Sequence, residues 1–150
     1  MSMMPAANGQ NMSAPETQSG APMNKHTTVL VVEDDVTVLR LAARVLERGG
    51  YTVLAAGTGD EALRRCLEAS GGIALILADV GLPDVRGPEL SQQLHELEPS
   101  ARIVFMSGHL PEDLADVAQL ANARFLPKPF DPDQLLQMVE EALEDVADEI

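Results

Sequence analysis

Cysteine is almost absent from this sequence, which has Cys66 as its one thiol in 150 residues. An intramolecular disulfide is therefore impossible, and a reducing compartment such as the cytoplasm is the expected environment. Cys66 falls at helical spacing with Ala62, Leu63 and Leu67, which predicts a small buried apolar side chain. No histidine lies near it in sequence to act as the partner of a reactive thiolate.

Tryptophan is missing, and the aromatic residues are three phenylalanines and one tyrosine, so the predicted core is aliphatic. Positive charge is also scarce, because 10 lysines and arginines face 24 aspartates and glutamates for a net charge of −14. An acidic surface repels phosphate backbones, which argues against direct nucleic-acid binding. The sequence lacks a long apolar run and a secretion signal, so we expect a cytoplasmic protein without a membrane span.

The first 26 residues have no hydrophobic periodicity and are rich in Met, Ser, Ala, Asn, Pro and Gly. Their two charged residues, Glu16 and Lys25, cancel, so the rest of the chain carries the whole net charge. Such a segment buries too little apolar surface to offset the entropy lost on ordering, which predicts disorder. Translation from either Met1 or Met23 fits the sequence. The predicted division is a disordered tail (residues 1–26), one domain (27–147) and a short C-terminal end (148–150).

Beyond the tail, short apolar runs alternate with segments of helical periodicity. The apolar runs predict five strands, namely TTVLVV, YTVLAA, IALILA, RIVFM and RFLP. Each is followed by a segment that predicts a helix, bounded by glycine, proline or a capping residue. Strands that are apolar on both faces and alternate with helices predict a parallel sheet covered on both sides. Five such units suit an open doubly wound α/β sheet better than a closed barrel, which needs eight.

The predicted helices differ in their ends and in their charge. The fourth, PEDLADVAQLA at residues 111–121, has proline in its first turn. The last, over residues 131–150, holds eight acidic residues and no lysine or arginine. Asp131 is its predicted N-cap, and Asp35 is the predicted cap of the first helix. Most of these acids are interpreted as a solvated face, although part of that face fits a basic protein surface.

Polar side chains follow four of the predicted strands at their carboxyl ends. They are Glu33 and Asp34 after the first strand, Asp79 after the third, Ser107 after the fourth and Lys128 after the fifth. Ligands of open parallel sheets bind beyond these ends, so the side chains are expected at one edge. Carboxylates gathered there repel each other unless cations neutralise them; Lys128 supplies one charge, and Mg²⁺ is predicted to supply the rest. Asp79 beside such a metal is a candidate acyl-phosphate nucleophile.

These residues stand in four motifs, VLVVEDD, LILADVGLPDVRGPEL, IVFMSGH and FLPKPF. In this order and at this spacing the motifs resemble the receiver domain of two-component response regulators. The resemblance covers the chain from residue 27 to residue 147. It implies a flavodoxin-like sheet of five parallel strands in the order 2-1-3-4-5, with five helices. The strand order is taken from the resemblance and not from the residues themselves.

The resemblance implies that Asp79 is the phosphoryl acceptor. Ser107 corresponds to the hydroxyl residue that contacts the phosphoryl group, and Lys128 to the lysine that pairs with it. The Lys128–Pro129 peptide is expected to be cis. Phe125 corresponds to an aromatic residue that moves inward on activation, but it has no hydroxyl, so a switch through a tyrosine hydrogen bond is not assumed.

The same resemblance implies an Mg²⁺ site made by Glu33, Asp34, Asp79 and the backbone carbonyl of Gly81. Asp34 is the expected direct ligand, and Glu33 is expected to act through water. Glu33 stands where aspartate is more frequent, a family alternative that leaves the metal site credible. Gly81 and His109 stand at positions that tune hydrolysis of the phospho-aspartate, so the lifetime of the phosphorylated state stays open.

Three other interpretations fit parts of the sequence less well. GTGDEA at residues 57–62 has the spacing of a dinucleotide-binding loop, with Asp79 twenty residues beyond Gly59. It follows the second strand, and the adjacent edge is crowded with carboxylates, so we do not favour it. A flavin module would need a Ser/Thr-rich loop where three acids follow the first strand. An aspartate-nucleophile phosphatase would carry a second aspartate at Gly81, and Asp84 is interpreted as a turn residue.

The resemblance implies a receiver that is phosphorylated by a sensor histidine kinase or a histidine phosphotransfer protein. Phosphorylation is expected to switch the surface around the fourth and fifth helices, which would bind a downstream protein whose identity is open. Because catalysis would be shared with the donor, the protein is not expected to be an enzyme in its own right. Two alternatives stay open, a phosphate shuttle or sink in a phosphorelay and a phosphorylation-independent protein-binding module of the same fold.

Overall fold

A computed structural model of the chain describes residues 27–69, 71–108 and 124–148. The elements within these ranges are β1 (Thr28–Val32), α1 (Val36–Arg48), β2 (Thr52–Ala56), α2 (Gly59–Ala69), β3 (Ile73–Asp79), α3 (Gly87–Leu97), β4 (Arg102–Ser107), β5 (Arg124–Pro127) and α4 (Pro132–Asp148). Strands and helices alternate as predicted up to β4 and again from β5 to α4. The predicted tail at residues 1–26 and the predicted helix at residues 111–121 lie outside the described residues. The last helix, fifth in the sequence prediction, is therefore called α4.

The strands form one parallel sheet in the order β2-β1-β3-β4-β5. This is the predicted order 2-1-3-4-5, so the doubly wound α/β fold is confirmed. β1 and β3 have a hydrogen-bonded strand on both sides. Their interior position explains why they are the most continuously apolar strands, since neither of their faces meets water.

Alternate residues of each strand pack against helices on opposite faces of the sheet. In β1, Val29 and Val31 join one core cluster, which also takes in buried side chains of α1 and α4. Leu30 and Val32 join the other cluster, where α2 and α3 cover the sheet and Cys66 is 2% exposed, as its spacing predicts. The helices thus bury one face and expose the other, and none in the described part of the chain is long and apolar enough to cross a membrane.

Side-chain caps define where two helices begin, and both predicted N-caps are confirmed. Asp35 Oδ1 accepts two first-turn N–H groups of α1, at 2.9 and 3.2 Å. Asp131 Oδ1 accepts the N–H of Gln134 at 2.8 Å, and Gln134 Oε1 accepts the N–H of Asp131 at 2.9 Å. Such reciprocal bonds satisfy donors that the helix itself leaves unpaired. Glu33 and Lys128 directly follow β1 and β5, and the caps fix the chain two and three residues beyond them.

Candidate functional site

The sheet brings the predicted polar residues together at the carboxyl ends of its strands. Backbone hydrogen bonds continue past the strand ends, from Glu33 N to Ala56 O at 3.0 Å and from Lys128 N to Ser107 O at 2.8 Å. Asp79 is the last residue of β3, opposite Met106 of β4. The segments that carry these side chains are therefore held by the sheet ladder, which restricts where the side chains can point.

Three carboxylates form one cluster at this edge. Oxygen atoms of Glu33, Asp34 and Asp79 all lie within 4.8 Å of one another. Glu33 is 1% exposed and Asp79 is 8% exposed, whereas Asp34 faces water. The cluster is thus buried on one side and open on the other, which gives a ligand access from solvent.

The Glu33 carboxylate has a different neighbour at each oxygen. Oε2 accepts the backbone N–H of Asp35 at 3.1 Å. Oε1 lies 2.5 Å from Lys128 Nζ, a close ion-pair contact. Burial raises the pKa of Glu33, and the negative charge of Asp79 adds to that rise, while the Lys128 ammonium and the Asp35 N–H oppose it.

Lys128 bridges two of the three acids, because its Nζ also lies 3.3 Å from Asp79 Oδ1. Burial of the ammonium works to lower the pKa of Lys128, but the contacts with Glu33 and Asp79 outweigh burial and leave that pKa raised. The lysine is therefore a firmly protonated cation at neutral pH. The Lys128–Pro129 peptide is cis, as the resemblance implies.

The donor set suits a hard divalent cation. Three carboxylates and one ammonium leave the site with excess negative charge, and carboxylate oxygens are the ligands that Mg²⁺ takes in proteins. The Lys128 ammonium lies against Glu33 Oε1 and neutralises only part of this charge, so a divalent cation would balance the remainder. Gly81 has no side chain to cover Asp79, whereas a Cβ on residue 81 would lie in contact with Asp79 Oδ2, at 3.9 Å.

Ser107 and Phe125 lie on the neighbouring strands β4 and β5. Ser107 ends β4, is 6% exposed and pairs in register with Pro127. The Phe125 ring stacks on the buried ring of Phe105, with centroids 6.0 Å apart and planes at 27°. Phe125 is itself only partly buried, so its ring has a packed side and a side near the surface.

Asp84 makes contacts that the sequence does not reveal. Its Oδ1 accepts the N–H of Gly59 at 3.0 Å, and its Oδ2 accepts the N–H of Asp60 at 3.1 Å. A Cβ at Gly59 would lie 2.3 Å from Val85 Cγ1, so only glycine lets the β3–α3 loop pack here. Gly59, the second glycine of GTGDEA, thus has a packing role. The sequence does place a short acidic side chain in the loop after Asp79. Such a side chain fits a local turn as well as it fits a contact with α2.

A family model for the response regulator receiver domain matches residues 29–140. The response regulator receiver protein CpdR of Brucella abortus is 31% identical over 116 residues, which cover 77% of this chain and 95% of that protein. The sensor kinase CckA of Brucella abortus is 35% identical over 130 residues, which cover 86% of this chain but only 14% of the kinase. The likeness to the kinase is therefore confined to a small part of its length.

Solved structures show the same likeness in three dimensions. The receiver domain of the hybrid histidine kinase CckA superposes with a TM-score of 0.68 at 35% identity, covering 77% of this chain and 98% of that chain. A CheY-like response regulator receiver domain protein from Methanospirillum hungatei JF-1 gives a TM-score of 0.74 at 30% identity, covering 83% of this chain and 98% of that chain. The match spans nearly the whole of both solved domains.

Proposed function

The chain belongs to the response regulator receiver domain family, and on that premise we propose that it accepts a phosphoryl group on Asp79 from a phosphohistidine donor. The observation that carries the proposal is the environment of the Asp79 carboxylate. It ends a buried strand, lies 3.3 Å from the Lys128 ammonium and shares its cluster with Glu33 and Asp34. A nucleophile for phosphoryl transfer needs a fixed position, open access and nearby positive charge, and this environment provides all three.

The proposed step transfers the phosphoryl group from a ring nitrogen of the donor histidine to an oxygen of Asp79. The P–N bond breaks as the O–P bond forms, and the imidazole nitrogen leaves with the electron pair of the broken bond. Lys128 would pair with a phosphoryl oxygen, and the Ser107 hydroxyl would donate a hydrogen bond to another. The positions of these groups at neighbouring strand ends support these roles.

Mg²⁺ would be held by Glu33, Asp34, Asp79 and the backbone carbonyl of Gly81. When bound, the metal supplies positive charge to the phosphoryl oxygens in transfer. The chain's own residues keep the site ready for the metal, because the sheet holds Glu33 and Asp79 while Asp34 stays accessible. This proposal is supported by the three clustered carboxylates, whose negative charge exceeds the single positive charge of Lys128.

The expected output is a change in the surface beside β5 and α4. A phosphoryl dianion on Asp79 would attract the Ser107 hydroxyl and change the space available to Phe125, whose ring stacks on Phe105. Such local contacts shift the population of an existing active arrangement. A pocket lined in part by Leu126 and Met138 opens between β5 and α4, which supports this surface as the place where a downstream protein binds.

We propose α1 as the helix that meets the donor protein, a sensor histidine kinase or a histidine phosphotransfer protein. Arg40, Arg44 and Arg48 recur every four residues and are exposed, which places them along one side of the helix. Val36 and Leu41 are 56% and 44% exposed, which adds apolar area to the same side. Because α1 begins directly after Glu33 and Asp34, a partner with an acidic rim seated here would lie beside the cluster that contains Asp79.

Since the phosphohistidine belongs to the donor protein, this protein is proposed as a phospho-acceptor and not as an enzyme. The test is intact-mass analysis after incubation with acetyl phosphate, with and without Mg²⁺. The proposal expects one added phosphoryl group on the wild type and on the exposed-residue control Asp60→Asn, both with Mg²⁺, and none on Asp79→Asn. Equal labelling of Asp79→Asn would contradict it. No labelling of any form would favour a phosphorylation-independent binding module, and rapid decay of the adduct would favour a phosphate sink.

A further inference from the structure

The loop that follows Asp79 is tied to α2 by the side chain of Asp84. The two carboxylate oxygens each accept one N–H from the first turn of α2, at 3.0 Å from Gly59 and 3.1 Å from Asp60. The contacts span 25 and 24 residues of sequence. A loop residue thus performs the capping that a neighbouring residue performs in most helices.

The rest of the first turn of α2 is capped by local residues. Thr58 Oγ1 accepts the N–H of Glu61 at 3.0 Å, and Glu61 Oε1 accepts the N–H of Gly57 at 2.8 Å. These local contacts do not involve the N–H groups of Gly59 and Asp60, which donate to Asp84. The carboxylate is also favoured at this position by the positive end of the helix dipole, and the pKa of Asp84 is lowered, mainly by the Gly59 N–H.

Packing reinforces the same tie. Val85 fills the space where a Cβ of Gly59 would lie, and Leu82 of the loop is 7% exposed. At the other end of the loop, Val80 N donates to Met106 O at 3.1 Å. Gly81 therefore lies between an anchor on β4 and anchors on the α2 side, although Gly81 itself is exposed and has no side chain to hold it.

We propose that Asp84 is a positioning residue that holds the Gly81 backbone carbonyl in place for the divalent cation. The inference rests on the proposed function, because it assigns a support to one of the expected metal ligands. Without the Asp84 contacts the loop keeps its backbone hydrogen bond to β4 and its apolar contacts. With the α2 side less firmly held, the Gly81 carbonyl would sample orientations that do not face the cluster. Removal of a group that hydrogen-bonds directly to a metal ligand typically changes metal affinity by tenfold or more. We expect an effect near the lower end of that range for Asp84, which acts on Gly81 through the loop.

The test is calorimetric titration of the full chain with Mg²⁺ for wild type, Asp84→Ala, Asp84→Asn and Asp60→Ala. Asp60→Ala is the matched control, because it removes one negative charge from the same helix terminus and loses only an exposed pair with Arg64. We expect the Mg²⁺ Kd of Asp84→Ala to exceed that of Asp60→Ala by about tenfold. Asp84→Asn keeps one oxygen acceptor and is expected to fall between the two.

Amide hydrogen exchange of residues 80–86, measured without Mg²⁺, supplies a second readout. Faster exchange there in Asp84→Ala, with exchange in the strands unchanged, is expected if the side chain orders the loop and not the whole fold. Equal Mg²⁺ affinity in Asp84→Ala and Asp60→Ala would overturn this inference and leave the proposed function standing. A wild type that binds no Mg²⁺ at millimolar concentration would overturn both.

Discussion

The Lys128 ammonium pairs with the buried Glu33 carboxylate, at 2.5 Å between Nζ and Oε1. Glu33 is 1% exposed, so its negative charge would be expensive without a cation beside it. Lys128 therefore has a structural partner before any phosphoryl group arrives. In the proposed reaction, a phosphoryl group on Asp79 would share this lysine with Glu33.

Replacing the lysine should cost stability even without a ligand. We expect Lys128→Ala to lower the free energy of unfolding at pH 7 by about 2 kcal/mol, less than for a fully buried pair because the lysine side chain is 21% exposed. Because the pKa of Lys128 is raised, its contribution is present below the ordinary value of 10.5 and is lost as the pH rises through the folded-state value. The measurement is urea unfolding from pH 7 to pH 11, without Mg²⁺.

Arg44→Ala is the control for loss of one positive charge, since Arg44 is exposed on α1. Its stability should stay within about 0.5 kcal/mol of the wild type. If Lys128→Ala were as stable as Arg44→Ala at pH 7, the pairing with Glu33 would make no measurable contribution to the free energy of unfolding.

Glu33→Gln preserves the shape of the side chain and removes its charge. We expect the Mg²⁺ Kd to rise about tenfold, because the cluster loses one of three carboxylates. Calorimetric titration measures this, with Glu47→Gln on the exposed side of α1 as the control of equal charge change. Equal affinities in the two variants would remove Glu33 from the metal site.

Asp84 should make stability depend on pH in acid. The pKa of Asp84 is lowered, so its contribution is present above the ordinary value of 3.8 and is lost as the pH falls through the folded-state value. The stability difference between wild type and Asp84→Asn is therefore expected to be constant from pH 5 to pH 7 and to shrink below 3.8. Urea midpoints measured across that range check it, and a difference that grows in acid would contradict the assignment.

Cys66 should be inert in the folded protein. Burial raises the pKa of the Cys66 thiol to about 11, with a smaller effect from Glu98, and the side chain is 2% exposed. We expect little reaction with a disulfide reagent at pH 8 over minutes and complete reaction in denaturant. Glu68→Cys in a Cys66→Ala background is the matched exposed thiol on α2, and reaction of Cys66 at a similar rate would contradict its burial.

The alternation of strands and helices and the two N-caps could be predicted because each depends on a local pattern. Apolar runs of four to six residues, helical periodicity and an aspartate before a helix act over short distances, where the residues determine the outcome. Strand order is not local, because a crossover can place the next strand on either side of the sheet. The correct order came from the family resemblance.

Two contacts at the site were beyond sequence reasoning for a related reason. Lys128 was expected beside Asp79, but its Nζ lies closer to Glu33. That difference depends on the side-chain conformations at the sheet edge, which the sequence does not give. Asp84 was interpreted as a turn residue; it lies in the loop, and its side chain also caps α2. Gly59, whose N–H donates to Asp84, is part of the motif that has the spacing of a dinucleotide-binding loop. The structure shows instead that a glycine is needed there because Val85 packs against it.

Reduction of the phosphorylated protein with borohydride tests the central claim most directly. Borohydride converts an aspartyl phosphate to homoserine, which peptide mass spectrometry locates in the sequence. After acetyl phosphate and Mg²⁺, we predict homoserine at position 79, and none when Mg²⁺ is withheld. Homoserine at position 34, or a phosphoryl group retained on Ser107 without homoserine anywhere, would contradict Asp79 as the acceptor.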